Sequence, residues 1–197
     1  MLKRTIAFWS ITLLVLTMVS AAATANVMET SGVLRSLALE AAEEYVDEGV
    51  AYLLGGQTTL LDYIVGVREG RMPGVDVGVD ASGLIRNVFR RQQPDMRFYA
   101  GPGGPIRRNV NSAALYHYNS RSLRLDEAEP GDLIFFENED GNIIGLGLIS
   151  RITTSSVHFI TASANAGTVI ESHALIGGDY WNSSIAGLGR LTYTIAQ

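Results

Sequence analysis

The sequence predicts an α+β fold, helices first and an antiparallel sheet after them, and three observations carry that prediction. Leu34, Leu37, Ala38, Ala41, Ala42 and Tyr45 recur at three- and four-residue spacing, the apolar stripe of a helix. Leu84, Ile85, Val88 and Phe89 form the apolar side of a second one. After Pro130-Gly131 the pattern changes to short β-rich runs separated by turns.

Taken in order, the first helix carries Glu40, Glu43, Glu44 and Asp47 on its other faces and ends near Gly49. Tyr52-Leu53-Leu54-Gly55-Gly56 follows as a short extended or turn segment. The stretch from Gly66 to Gly78, with Met72-Pro73-Gly74, reads as a glycine-rich, mobile loop. The second helix starts at Asp80 or Ala81 and runs to Arg91, before Pro94. Arg86 and Arg90 lie one turn apart on it, where a solvated face is expected and anion binding is the alternative. A short helix is placed around Ser112–Tyr118, after the Gly- and Pro-rich loop 101–105. The strands are Asp132–Glu137, Ile143–Ser150, Val157–Ser163, Thr168–His173 and Arg190–Ala196, with Asp140-Gly141 at the centre of the first hairpin turn. No internal repeat, low-complexity tract or linker interrupts this order, so residues 26–197 are expected to form one domain.

The first 25 residues read differently. Lys3 and Arg4 precede an apolar run from Ile6 to Val19, and Ala23-Thr24-Ala25 supplies a small-x-small cleavage pattern before Asn26. The run is about 14 residues, short of the roughly 20 that cross a bilayer. Residues 1–25 are therefore expected to be a signal peptide, the chain exported to a periplasm or the exterior, and no later segment to span a membrane. Cleavage leaves 13 basic residues, all arginine, against 20 acidic ones, a formal charge of −7. That balance disfavours nucleic acid and anionic membrane surfaces as partners. The chain has no cysteine, so it has no thiolate nucleophile, thiolate metal site or redox pair.

Five segments, in order, resemble the NlpC-type family of papain-like cell-wall endopeptidases. Tyr52-Leu53-Leu54-Gly55-Gly56 is similar to the family's Tyr-x-x-Gly-Gly entry to the active site. Val79-Asp80-Ala81-Ser82-Gly83-Leu84-Ile85 resembles its Asp-Cys-Ser-Gly-Leu signature, and Pro130-Gly131-Asp132-Leu133-Ile134-Phe135-Phe136 its Pro-Gly-Asp-Leu-Phe-Phe strand. Phe159-Ile160-Thr161-Ala162-Ser163 and Tyr180-Trp181 match two later segments. The resemblance spans roughly Leu34 to Ile195 and implies a papain-like fold, N-terminal helices packed on a central antiparallel sheet.

A thiol peptidase needs a thiolate at a helix N-terminus, an imidazole base and a group that orients it. The resemblance places these roles on Ala81, Gly145 and Thr161. A methyl group and a hydrogen cannot attack a carbonyl or accept a proton. The expectation is therefore a degenerate site, a pseudoenzyme whose cleft holds a peptidoglycan stem peptide or an envelope protein through Tyr52, Asp80, Ser82 and Thr161. Two alternatives stay open. One is a hydrolase that uses Ser82 or Ser163 with a distant base, which requires a serine hydroxyl facing a cleft within about 3.2 Å of an imidazole or carboxylate. The other is a purely structural protein whose cleft is closed by the Gly66–Gly78 loop or by large side chains. Asp80 is expected to cap the second helix; the alternative is that it and Asp76, in the same glycine-rich approach, place negative charge beside the cleft and attract an ammonium group. His158 points away from Thr161 by strand parity, His117 lies in the short helix, and Glu171 with His173, which share a face, read as two solvated side chains on an edge strand, with a metal site or acid–base pair as the alternative. No close ligand spacing occurs among them, so neither a metal nor another cofactor is expected.

Overall fold

The computed structural model describes residues 26–196, so the expected signal segment lies outside the described residues. A two-residue strand β1 (Met28–Glu29) leads into helix α1 (Gly32–Asp47), followed by α2 (Leu60–Arg68) and α3 (Ala81–Arg90). Strands β2 (Met96–Tyr99) and β3 (Ile106–Arg107), helix α4 (Ser112–Tyr118) and strand β4 (Ser120–Leu123) come next. The chain then runs through β5 (Leu133–Glu137), β6 (Ile143–Ile152), β7 (Ser156–Ser163), β8 (Thr168–Leu175), α5 (Asp179–Ser184) and β9 (Ile185–Ile195). Side-chain caps begin the first four helices: Ser31, Thr59, Asp80 and Asn111 each accept a backbone N–H of the first turn.

The predicted α+β architecture is the one observed. Seven strands follow one path, β3-β2-β9-β5-β6-β7-β8, and β1 and β4 pair with β9 beside it. Each pairing is antiparallel. Period-2 alternation sorts the side chains onto two faces. Leu133, Phe135, Leu146, Leu148, Ile160 and Ala162 meet the apolar stripes of α1 and α3. Ile134, Phe136, Ile149, Val157 and Phe159 face the other way, where Trp181 and Ile185 pack against them.

Two helices escape the sequence reading. The segment that forms α2, LLDYIVGVR, is apolar on nearly all sides and buries only Tyr63 and Gly66, so no stripe marks it. It carries the first residues of the supposed Gly66–Gly78 loop into a helix. The remainder is pinned by Gly78 N–H to Thr58 Oγ1 at 3.1 Å and Met72 N–H to Asp76 Oδ2 at 2.9 Å. Helix α5 is one turn long and carries Tyr180 and Trp181. Strand β9 also begins five residues before its expected start, because Gly187 and Gly189 break the alternation that would reveal it.

Arg86 and Arg90 correct the expectation of a solvated face. They are 3% and 8% exposed. Strand β2 and the segment after β3 cover the side of α3 that the sequence leaves polar. Arg86 donates to the Val110 carbonyl, and Arg90 donates to Asn109 Oδ1 at 2.9 Å while lying 5.4 Å over the Phe98 ring.

The Pro130-Gly131-Asp132 turn fastens α1 to the sheet. Asp132 is fully buried and receives both Nε and Nη2 of Arg190, at 2.9 and 2.8 Å. Arg35 of α1 approaches the same carboxylate to 3.5 Å and pairs with Glu129, which also accepts from Arg190 at 3.0 Å. The bidentate bond to Asp132 holds the Arg190 guanidinium above its ordinary pKa. Gly131 has φ +85°, and a Cβ there would stand 2.5 Å from Arg35 Cβ, so only glycine brings the turn this close to α1.

Candidate active-site cleft

The cleft forms where the N-terminus of α3 meets the strands β6 and β7. The Tyr52–Gly56 turn is laid against α3 by backbone bonds: Leu53 N–H to Val79 O at 3.0 Å and Asp80 N–H to Gly56 O at 3.1 Å. Asp80 completes the junction. Its Oδ1 caps α3 by accepting the Gly83 N–H at 2.6 Å, and its Oδ2 accepts the Gly55 N–H at 3.1 Å. Gly83 is the tightest point, since a Cβ there would lie 2.1 Å from the Gly56 carbonyl oxygen. Replacing Gly83 by alanine should force α3 and the turn apart and cost about 3 kcal/mol, at the upper end for overpacking, as read by urea unfolding. A loss under about 0.5 kcal/mol would show that the junction yields freely.

Into one open cavity of about 760 Å³ come Tyr52, Asp80, Ala81, Ser82, Gly145, Thr161 and Ser163. These are the positions assigned from the sequence to the degenerate triad, the binding cleft and the relocated nucleophile, gathered from four separate segments. Gly145 sits opposite Phe136 in the β5–β6 ladder, and its missing Cβ would meet only Phe136 Cδ2, at 3.4 Å. Thr161 spends its hydroxyl on the Leu146 carbonyl at 2.8 Å. Ser163 Oγ accepts the Ala166 N–H at 3.2 Å.

Ser82 lines the cleft and meets the distance required of a relocated nucleophile, but its surroundings work against it. Its Oγ donates to Asp80 Oδ1 at 2.9 Å, but that oxygen is already engaged in capping. Ser82 is itself buried and accepts from Arg86 Nη1 at 2.8 Å. A cation donating to the hydroxyl oxygen lowers its nucleophilicity, and no imidazole bonds to it among the described residues. Burial, opposed by Asp80, pushes the Arg86 pKa below its ordinary value.

Asp76 stays outside the cleft and caps its own turn. None of the Gly66–Gly78 stretch lines the cavity, so that loop does not supply the closure that the purely structural alternative requires. His117 stacks edge-on against Tyr116, away from the cleft. His158 points away from Thr161 as its parity requires, stacking on His173 with ring centres 5.3 Å apart. Glu171 accepts from Ser150 Oγ at 2.6 Å.

Sequence reasoning missed His173 as a cleft residue, along with Phe136, Phe159 and Tyr180. Phe136 and Phe159 are ordinary alternating strand positions whose ring contact, 5.1 Å between centres, closes the floor. Leu54 and Ile144, 82% and 65% exposed, stand at its rim. Among the described residues, no lysine or arginine lines the cavity, and Asp80 is its only carboxylate.

Among the described residues, no group of three or more His, Cys, Asp or Glu side chains could hold a metal, and no helix is long and apolar enough to cross a membrane. A model of the NlpC/P60 family matches residues 49–188, from the end of α1 into β9. No curated protein matches the chain.

Proposed function

This chain belongs to the NlpC/P60 family, and from that premise we propose that it is an exported, catalytically inactive member whose cleft binds a peptidoglycan stem peptide or an envelope protein. The family is one of cysteine peptidases, and this chain has no cysteine. The observation that carries the reading is the content of the cleft. Ala81, Gly145 and Thr161 meet there, in a cavity that stays open and is not filled by its own side chains. A groove retained after loss of its charged catalytic pair can bury a ligand without stripping water from a thiolate and an imidazolium. Tyr52 and the apolar rim of Leu54 and Ile144 offer contact area, while Asp80 is spent on fixing the groove's wall.

The test is muropeptide binding by calorimetry on the purified protein, with turnover followed by chromatography on the same samples. Saturable binding without turnover, weakened about tenfold or more by Tyr52→Ala, is the expected result. Turnover that disappears in Ser82→Ala would overturn it. The contact of Ser82 with Asp80 is the one observation that favours this second reading, a serine hydrolase.

A further inference from the structure

A second groove lies on the far side of α3, between α1, α2 and α3, with a volume of about 410 Å³. Its walls are largely apolar, with Leu60, Leu61, Ile64, Val88 and Pro94 among them, and its charged lining is three arginines, Arg90, Arg91 and Arg108, and one carboxylate, Glu44. Leu61 is 70% exposed at its edge.

The arginines are not equivalent. Arg91 is paired with Glu44 at 2.7 Å. Arg108 donates from Nη1 to the Pro94 carbonyl at 3.2 Å and forms no ion pair among the described residues. Arg90 is buried, yet among the described residues only its Nη1 is bonded, to Asn109, and its Nε and Nη2 have no partner. Burial and the neighbouring Arg108, Arg86 and Arg97 all act to lower its pKa. A chain with more acidic than basic residues thus concentrates positive charge beside an apolar groove and leaves a buried guanidinium without a carboxylate. Buried cations are ordinarily paired, so this arrangement suits an anion that comes from outside the chain.

We propose that this groove binds a single-chain amphiphilic carboxylate, its head held by the charge of Arg90 and Arg108 and its tail lying along Leu60, Ile64 and Val88. The volume lies in the range of small-ligand pockets, and the apolar walls with a few polar groups at one end match such sites. A single acyl chain, which presents one head and one tail, fits this polarity. The site is separate from the active-site cleft, and the proposal stands whether or not that cleft binds peptide.

The experiment is calorimetric titration of the protein with dodecanoate below its micellar concentration, beside dodecanol and anionic phosphatidylglycerol vesicles. Dodecanoate should bind saturably at one site and at least tenfold more tightly than dodecanol. Arg90→Gln should weaken binding most, but it also removes the contacts with Asn109 and Phe98. Arg108→Gln and Leu61→Asp change exposed side chains, so each should weaken binding threefold or more while leaving the thermal midpoint unchanged. Equal affinity for dodecanol, full affinity in both exposed variants, or binding to vesicles alone would each overturn the proposal.

Discussion

Replacing Asp132 by asparagine is expected to cost about 3–5 kcal/mol of folding stability, the magnitude for removing one partner of a buried ion pair. Asparagine fills the same volume, so the loss isolates charge from packing. Arg190 and Arg35 would keep their positive charges with Glu129, which is largely exposed, as their one remaining ion-pair partner among the described residues. The comparison is Glu129→Gln, whose ion pairs reach solvent and should be worth about 1 kcal/mol or less. Urea unfolding at neutral pH reads both variants on one scale. If Asp132→Asn fell as little as Glu129→Gln, the turn would be held by its backbone bonds and not by charge.

The second large effect concerns chemistry. Ala81 occupies the first turn of α3, where the helix dipole favours an anion, and Gly145 has room for a Cβ without a forbidden backbone angle. Ala81→Cys alone should give a sluggish thiol, because the Asp80 carboxylate beside it opposes ionisation. Adding Gly145→His supplies an imidazole across the cleft, which should lower the thiol pKa and raise its alkylation rate by iodoacetamide at pH 7 at least tenfold. The pH profile of alkylation is the discriminating measurement, since a mere change in exposure would alter the rate without moving the midpoint. Equal rates and equal midpoints in the single and double variants would mean that the cleft no longer holds the geometry the chemistry requires.

What could be read from the sequence follows from how local each signal is. The Asp80 cap, the Tyr52–Gly56 turn and the Pro130-Gly131-Asp132 turn depend on residue types that only certain backbone shapes require, and all three appear in the expected places. Strands β5 to β8 are visible as short β-rich runs between turn residues. Helix α2 is not, because its apolar residues surround it and leave no periodic stripe. The burial of Arg86 and Arg90 was hidden for another reason. A charged side chain shows nothing locally of what will later cover it, and β2 arrives from further along the chain. The cleft's aromatic floor was equally silent, since Phe136 and Phe159 look like any inward strand residues until the ladders bring them together.

Strand β9 pairs with β1, β2, β4 and β5, although it is the last strand among the described residues. Its partners come from as far back as Met28, so those ladders wait for nearly the whole sequence to be synthesised. The helices and the β5–β8 meander can form earlier from neighbouring residues, but the half of the sheet that carries Arg190 to Asp132 closes only at the end. Such late, long-range closure folds slowly and leaves strand edges bare in the meantime. A nascent chain of this kind completes its sheet only when residues 185–195 arrive.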